Sequence, residues 1–344
     1  MTIHTDDVTM KERSKRLSRR EWLALSTAAG VGMSAVHSCA AAAANAVTAT
    51  DGKKRYAMKK SINLWALPYP EKMNLETCLQ ICADAGFDGV ELNYDLEGDL
   101  SPQASEDDIR AIGDMVRGKG LEVAGICSYL FWPYPFTHED PDIREYAVQL
   151  GAKMIRAARL LETDDLLIVP GATYVPWMPN EAPVRFDVAE KRAKQAISRL
   201  LEVATHQKVH MNMENIFING FLHSPGEMTD FVDSFDSEYV RVHFDTGNIM
   251  QYHFPEHWIQ LLGKRIRHVH VKEFNRKNAE FNVDTFRPLL DGSTNWPAVL
   301  DALEDIGFRG YLTFEYFNPF PYHPEALVYH TSDSLDRLLG RITV

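Results

Sequence analysis

The sequence has few cysteines, no excess of basic residues and no long hydrophobic run. Its 344 residues include 4 cysteines and no Cys-x-x-Cys pair. We expect Cys78 and Cys82, one helical turn apart, to be buried thiols rather than a metal pair or a disulfide. Acidic residues outnumber basic ones by 48 to 36, for a net charge of −12. This balance argues against nucleic acid as a partner, because phosphate backbones recruit basic surfaces.

The first 46 residues differ in character from the rest of the chain. A basic run at residues 11–20 overlaps the segment Ser-Arg-Arg-Glu-Trp-Leu at residues 18–23. That segment is similar to a twin-arginine export motif, with Trp22 where the motif usually has Phe. We therefore expect residues 1–46 to be an export signal and the protein to be periplasmic; the alternative is a disordered basic tail.

The end of this signal is also readable. Residues 24–36 are weakly apolar but too few to span a bilayer as a mature helix, and residues 44–46 form a small-x-small cleavage site. No stable membrane insertion is expected after cleavage. Lipidation at Cys39 is an alternative, although His37 fits a lipoprotein pattern poorly.

Residues 47–344 alternate between short apolar runs and longer amphipathic stretches, with no low-complexity linker after residue 55. The predicted strands are 59–64, 89–93, 122–127, 166–170, 210–214, 240–244, 266–272 and 311–316. The predicted helices are 75–85, 106–119, 143–161, 188–206, 225–234, 256–262, 296–306 and 332–339. Eight strands, each followed by a helix, predict an α/β protein with a single (β/α)8 TIM barrel over residues 47–344.

Three of the loops that follow the predicted strands are rich in aromatic residues and proline. They cover residues 129–136, 174–179 and 317–322, and the first contains Trp132. In such a barrel the loops after the strands carry the active site, and rigid aromatic rings can stack on the apolar face of a sugar. The rings could equally pack on one another as a loop core, and the two interpretations are compatible.

The strongest pattern is an alternation of polar and apolar residues in four late strands. Because side chains along a strand point to opposite faces in turn, each of these strands has one apolar face for the helices and one polar face for the barrel interior. The polar residues nearest the carboxyl ends of the strands are Glu214, Asp245, His270 and Glu315.

Two glutamates, one aspartate and one histidine at the same level suit a divalent cation such as Mn²⁺, Mg²⁺, Co²⁺ or Zn²⁺. Three carboxylates that converge without a cation would repel one another. We therefore expect these four residues to hold a metal. The alternative is a hydrogen-bonded ion-pair network in which Arg241 and Lys272 are the counterions.

Several segments resemble the xylose isomerase-like barrel superfamily of sugar isomerases and epimerases, above all its ketose 3-epimerase and sugar-phosphate epimerase members. The similar segments lie at residues 86–92, 213–215, 244–248, 268–276, 295–300 and 307–315. The resemblance covers about residues 56–320. It implies a small carbohydrate substrate, a divalent metal (Mn²⁺ first among the candidates) and a homo-oligomer.

The resemblance also implies roles for individual residues. Glu214 and Glu315 would exchange protons with opposite faces of the sugar, while the metal stabilises the enediolate. Arg276 matches a substrate-contacting arginine of the family. The further candidates for substrate contact are Glu91, Asn248, Lys272 and Trp132.

Two positions depart from the free-ketose 3-epimerases. Asn248 replaces a histidine, and Gly220 replaces a second glutamate. The Asp-x-Gly-Asn pattern is nearer the sugar-phosphate branch, yet a periplasmic enzyme rarely meets sugar phosphates. The substrate is therefore open. The alternatives to an isomerase or epimerase are a metal-dependent lyase or hydrolase of 3-keto-glycosides and a non-catalytic sugar-binding protein. An endonuclease IV-like function is disfavoured because Asn248 removes a histidine that its metal cluster needs.

Overall fold

Parallel strands that close on one another form the centre of the compact unit that the structure describes. The computed structural model describes residues 55–178, 182–277 and 285–342, so the expected export signal lies outside the described residues. The strands are β1 (Lys59–Asn63), β2 (Gly89–Asn93), β3 (Glu122–Cys127), β4 (Asp165–Ile168), β5 (His210–Glu214), β6 (Val240–Asp245), β7 (Ile266–Val271), β8 (Glu273–Phe274), β9 (Phe286–Arg287) and β10 (Tyr311–Phe314).

Eight of these strands form a closed barrel in the order β1-β10-β7-β6-β5-β4-β3-β2, and every neighbouring pair is parallel. The α-helices are α1 (Leu75–Asp84), α2 (Glu106–Gly118), α3 (Pro141–Leu160), α4 (Phe186–Gln207), α5 (Pro225–Asp233), α6 (Pro255–Leu262), α7 (Trp296–Asp305) and α8 (Pro324–Leu338). The predicted (β/α)8 barrel is confirmed. Among the helices of the described ranges, none combines the length and apolar character needed to cross a bilayer.

Local sequence explains where the helices begin. Ser105 starts α2 with a capping box, in which its hydroxyl and the Asp108 carboxylate satisfy each other's backbone N–H groups. Side-chain oxygens of Asn74, Ser224 and Asn295 accept hydrogen bonds from the first turns of α1, α5 and α7. These caps fix the turns that carry the chain into α1, α2, α5 and α7.

Two features differ from the sequence-based expectation. Helix α8 begins at Pro324, eight residues before the predicted start at residue 332, because proline at the first helical position favours initiation and Leu327 and Val328 are buried. The antiparallel pair β8–β9 was not predicted, since strands of two residues carry no periodic signal. This pair lies in the loop that follows β7.

The core between barrel and helices is built from the apolar faces predicted for the late strands. Met213, Phe244, Val271 and Phe314 are completely buried. Cys78 and Cys82 are buried free thiols, as expected. Because the apolar face of each strand meets the helices, the polar residues between them must point into the barrel.

Candidate metal centre and substrate cavity

The four predicted ligands converge at the carboxyl ends of their strands. Donor atoms of Glu214, Asp245, His270 and Glu315 all lie within 4.8 Å of one another. Asp245 and His270 are completely buried, whereas Glu214 and Glu315 also line a cavity that opens toward the loops. The strand register places Asp245 and His270 at the same height in the barrel, because the two residues are paired across β6 and β7.

The ring of His270 shows which of its nitrogens faces the cluster. Its Nε2 lies 2.9 Å from Oε2 of the buried Glu91. Its Nδ1 lies 3.6 Å from Glu315 Oε1, 3.7 Å from Glu214 Oε1 and 3.9 Å from Asp245 Oδ2. Nδ1 has no hydrogen-bond partner among the described residues. A buried nitrogen that faces three carboxylates fits a cation placed between them, so the donor set suits a divalent metal.

Electrostatics lead to the same conclusion. Burial, with the nearby Glu315 and Asp245 charges, raises the pKa of Glu214 to about 7, and burial also raises the pKa of Glu315. Burial lowers the pKa of His270, but Glu91 and Glu315 outweigh it and hold that pKa well above the usual value. Without a bound metal ion the cluster must take up protons to lower its own repulsion.

Asp245 is oriented by backbone groups and by Asn215. Its Oδ1 accepts hydrogen bonds of 2.8 Å from the backbone N–H of Gly247 and of Asn248. The Asn215 amide bridges the backbone N–H and C=O of Asp245 at 2.9 and 2.7 Å. These contacts leave Oδ2 directed at the cluster, as a metal ligand requires.

Lys272 is the cation that the structure places beside the carboxylates. Its buried Nζ forms an ion pair with Glu315, lies 3.1 Å from Asp245 Oδ2 and donates to Asn248 Oδ1 at 3.0 Å. Burial lowers the pKa of Lys272, but the Asp245 and Glu315 charges outweigh it and raise that pKa. Lys272 thus supplies the ion pairs that the sequence also allowed for Arg241. One ammonium group offsets only one of the three carboxylates, so a divalent ion remains compatible.

The cavity above the cluster measures about 530 Å³. The predicted substrate contacts Trp132, Asn248 and Lys272 line it, together with the two glutamates. The structure places two further candidates elsewhere. Glu91 lies beneath the cluster against His270, and Arg276 holds its guanidinium 4.1 Å from the centre of the Phe254 ring. Direct contact of Glu91 or Arg276 with a substrate stays a prediction.

Sequence reasoning missed several parts of this site. Trp65, Phe217 and Phe286 line the cavity but lie outside the aromatic loops singled out above. Glu273 is buried, and its carboxylate accepts hydrogen bonds from Trp296 Nε1 at 2.7 Å and from the Thr294 backbone at 3.1 Å. Because Glu273 directly follows the predicted strand that ends at Lys272, its charge could have indicated a side chain that anchors the next loop.

Comparison with known proteins gives a match over most of the chain. A family model described as a xylose isomerase-like TIM barrel matches residues 79–338. D-psicose 3-epimerases of Enterocloster bolteae and Ruminiclostridium cellulolyticum are 27% identical over 185 and 183 residues. Each alignment covers 52% of this chain, and 56% and 58% of those relatives, so the chain spans little more than half of their length.

Solved structures share the fold at lower identity. A structure of L-ribulose 3-epimerase is 21% identical, with a TM-score of 0.68 over 83% of this chain and 95% of that one. D-psicose 3-epimerase from Clostridium cellulolyticum H10, solved with D-tagatose, is 18% identical, with a TM-score of 0.68 over 82% and 98%. A 3-keto-D-glucoside 4-epimerase from E. coli is 15% identical, with a TM-score of 0.64 over 82% and 98%.

Proposed function

Because the chain belongs to the xylose isomerase-like TIM barrel family, we propose that it is a metal-dependent sugar isomerase or epimerase of the ketose 3-epimerase type. The observation that carries this proposal is His270 Nδ1, which faces three carboxylates at 3.6 to 3.9 Å and has no hydrogen-bond partner in the described part of the chain. The 3-epimerase relatives are consistent with it.

The proposed chemistry is proton transfer beside a sugar carbonyl. A divalent ion held by Glu214, Asp245, His270 and Glu315 would supply Lewis acidity toward the sugar oxygens and so stabilise the enediolate charge. One of the two cavity-lining glutamates takes the proton from the carbon next to the carbonyl. The other returns a proton to the opposite face, which inverts that carbon.

The test is solvent deuterium exchange. Protein stripped with a chelator and then reloaded with Mn²⁺ should incorporate deuterium into ketoses such as D-psicose, D-tagatose or L-ribulose, whereas the stripped protein should not. Glu315→Gln should lower the exchange rate by about 10² or more. Glu106→Gln, an exposed change on α2, serves as the matched control. Undiminished exchange in Glu315→Gln would remove the two-glutamate mechanism.

The identity of the metal and the cellular setting belong to the same proposal. We propose Mn²⁺ as the native ion, a homo-oligomeric assembly, and export to the periplasm through the twin-arginine motif at residues 18–23. Elemental analysis of protein purified from its own cells tests the metal, and light scattering after size exclusion tests the assembly. Replacement of Arg19 and Arg20 by lysine should keep the protein out of the periplasmic fraction.

A further inference from the structure

Aromatic rings from several loops line the walls of the cavity. Two rings flank Lys272, whose Nζ lies 4.8 Å from the centre of Phe286 and 4.8 Å from the centre of Phe317. The Phe317 ring in turn packs against the ring of Trp65, with 5.5 Å between ring centres. On the other side of Lys272, the Phe286 ring packs against the ring of Phe217, with 6.0 Å between ring centres.

The second wall continues outward from Phe217. Trp177 stacks on Phe217 with a ring-centre distance of 6.2 Å and an angle of 8°, and Trp132 packs against both rings at 5.0 and 5.8 Å. A track of aromatic rings therefore leads from Lys272, beside the metal ligands, to Trp177. We call the rings of Phe286, Phe217, Trp177 and Trp132 the aromatic track.

Several rings at the mouth of the cavity remain partly exposed although they pack on one another. Trp177 remains 43% exposed, Phe317 41% and Tyr129 46%, and all three belong to the cavity wall or its rim. Exposed aromatic rings at the mouth of a cavity are typical of binding surfaces. The loop-core interpretation accounts for the contacts between the rings but not for the faces left open to the cavity.

The size and polarity of the cavity agree with a ligand of two rings. Cavities of about 300–1,000 Å³ hold drug-sized ligands, and this one measures about 530 Å³. Three of its charged groups, Glu214, Glu315 and Lys272, belong to or contact the metal-ligand cluster, where they would contact the reacting sugar. Asp95 and Asn318 add polar groups to the wall.

We propose that the natural substrate is a keto sugar that carries a second ring through a glycosidic bond, with the second ring seated on the aromatic track. This inference rests on the proposed function and names its substrate class. A glycosidic bond locks the anomeric carbon, so the carbonyl that acidifies the exchanging C–H must lie at another ring position such as C3. An oxidation of a ring hydroxyl must therefore supply this substrate. The second ring is either an aryl group or another sugar, since both have a flat apolar face.

The experiment compares four sugars on the Mn²⁺-loaded full-length protein, with kcat/KM for solvent deuterium exchange as the readout. They are 3-keto-glucose, methyl 3-keto-β-glucoside, phenyl 3-keto-β-glucoside and a disaccharide oxidised at C3 of its non-reducing ring. The two-ring substrates should exceed the methyl glycoside by about tenfold or more. A higher rate for the phenyl compound identifies an aryl group, and a higher rate for the disaccharide identifies a second sugar.

Variants connect that preference to the track. Trp177→Ala should remove most of the preference for the two-ring substrates, and Trp177→Leu, which keeps apolar bulk without a flat ring, should do the same. Tyr329→Ala, which changes an exposed ring on α8 that does not line the cavity, should leave the preference intact. Equal rates for methyl and two-ring glycosides in the wild type, or an unchanged preference in both Trp177 variants, would overturn the inference.

The failure of the proposed function has a different signature. In that case no sugar, with one ring or two, shows metal-dependent exchange. If free ketoses exchange efficiently while every glycoside is inert, the proposed function stands and the inference about the second ring is wrong. Analysis of the products further separates epimerisation, which retains the glycosidic bond, from elimination, which breaks the C2–H and C1–O bonds and releases the second ring with the proton.

Discussion

The Nε2 atom of His270 lies 2.9 Å from Oε2 of Glu91, and both side chains are completely buried inside the barrel. Glu91 comes from β2 and His270 from β7, on different sides of the barrel. The carboxylate holds the proton on Nε2, so Nδ1 is the nitrogen available to a metal. Glu91 therefore acts on the metal centre as a positioning residue.

This relationship predicts the behaviour of Glu91→Gln. The variant keeps the size of the side chain but loses the charged acceptor that fixes the His270 ring, so the affinity for Mn²⁺ should fall by about 10- to 100-fold. Calorimetric titration of the stripped protein measures it. Glu122→Gln, on a partly exposed glutamate at the opposite end of the barrel, is the control. Equal affinities in wild type and Glu91→Gln would show that the hydrogen bond does not orient the ligand.

Lys272→Met should destabilise the stripped protein more than the metal-loaded protein. The buried ammonium group pairs with Asp245 and Glu315, and its removal leaves buried carboxylates without their partner, which costs about 3–5 kcal/mol in the stripped protein. A bound divalent ion replaces part of the lost compensation. The rise in Tm on addition of Mn²⁺ should therefore be larger in Lys272→Met than in the wild type.

Thermal unfolding with chelator and with saturating Mn²⁺ measures the two shifts for Lys272→Met. The exposed Lys191→Met change on α4 should match the wild type in both conditions. An identical metal-induced shift in Lys272→Met would mean that the ammonium group and the ion do not share the same carboxylates.

Glu273→Gln should loosen the segment that carries Phe286. The Glu273 carboxylate accepts hydrogen bonds from Leu290, Thr294 and Trp296, and an amide nitrogen in its place would face donors. Loss of a bond to a charged acceptor costs about 1.5–3 kcal/mol. Hydrogen exchange of residues 285–296 should become faster while the barrel strands keep their protection. Unchanged exchange in that segment would contradict the anchoring role.

Asp164 predicts an acid-sensitive contribution to stability at the amino-terminal end of the barrel. A hydrogen bond with His210, and then the Arg267 charge, lower the pKa of Asp164 to about 2, although burial opposes them. Because the folded-state pKa lies below the ordinary value of 3.8, the contribution is fully present above about pH 4 and is lost as the pH falls toward 2.

Asp164 is half exposed, so solvent screening limits this contribution to about 1 kcal/mol or less. Asp164→Asn should lower the free energy of unfolding at pH 7, and the difference from the wild type should shrink at pH 3. Urea unfolding at the two values measures it. A difference that is independent of pH would mean that the variant acts through packing rather than through charge.

The sequence by itself determined the closed barrel and the position of the four ligands at the carboxyl ends of their strands. Alternation along a strand is a local property, so Glu214 and Asp245 on the inner face follow from the apolar neighbours that must meet the helices. The order of the eight strands follows from short right-handed connections. The start of α8 was missed because the apolar pattern of its first two turns is weak in the sequence, and only the packing shows that Leu327 and Val328 are buried.

Tertiary structure alone decided which nitrogen of His270 faces the carboxylates, because Glu91 reaches it from a strand 179 positions earlier in the chain. It also decided that Lys272 points into the cluster and that Phe217, Phe286 and Trp177 meet in one wall. These rings come from loops after different strands, and no local pattern specifies the distance between loops. Their convergence depends on the closure of the barrel, which brings the carboxyl ends of its strands to a common rim.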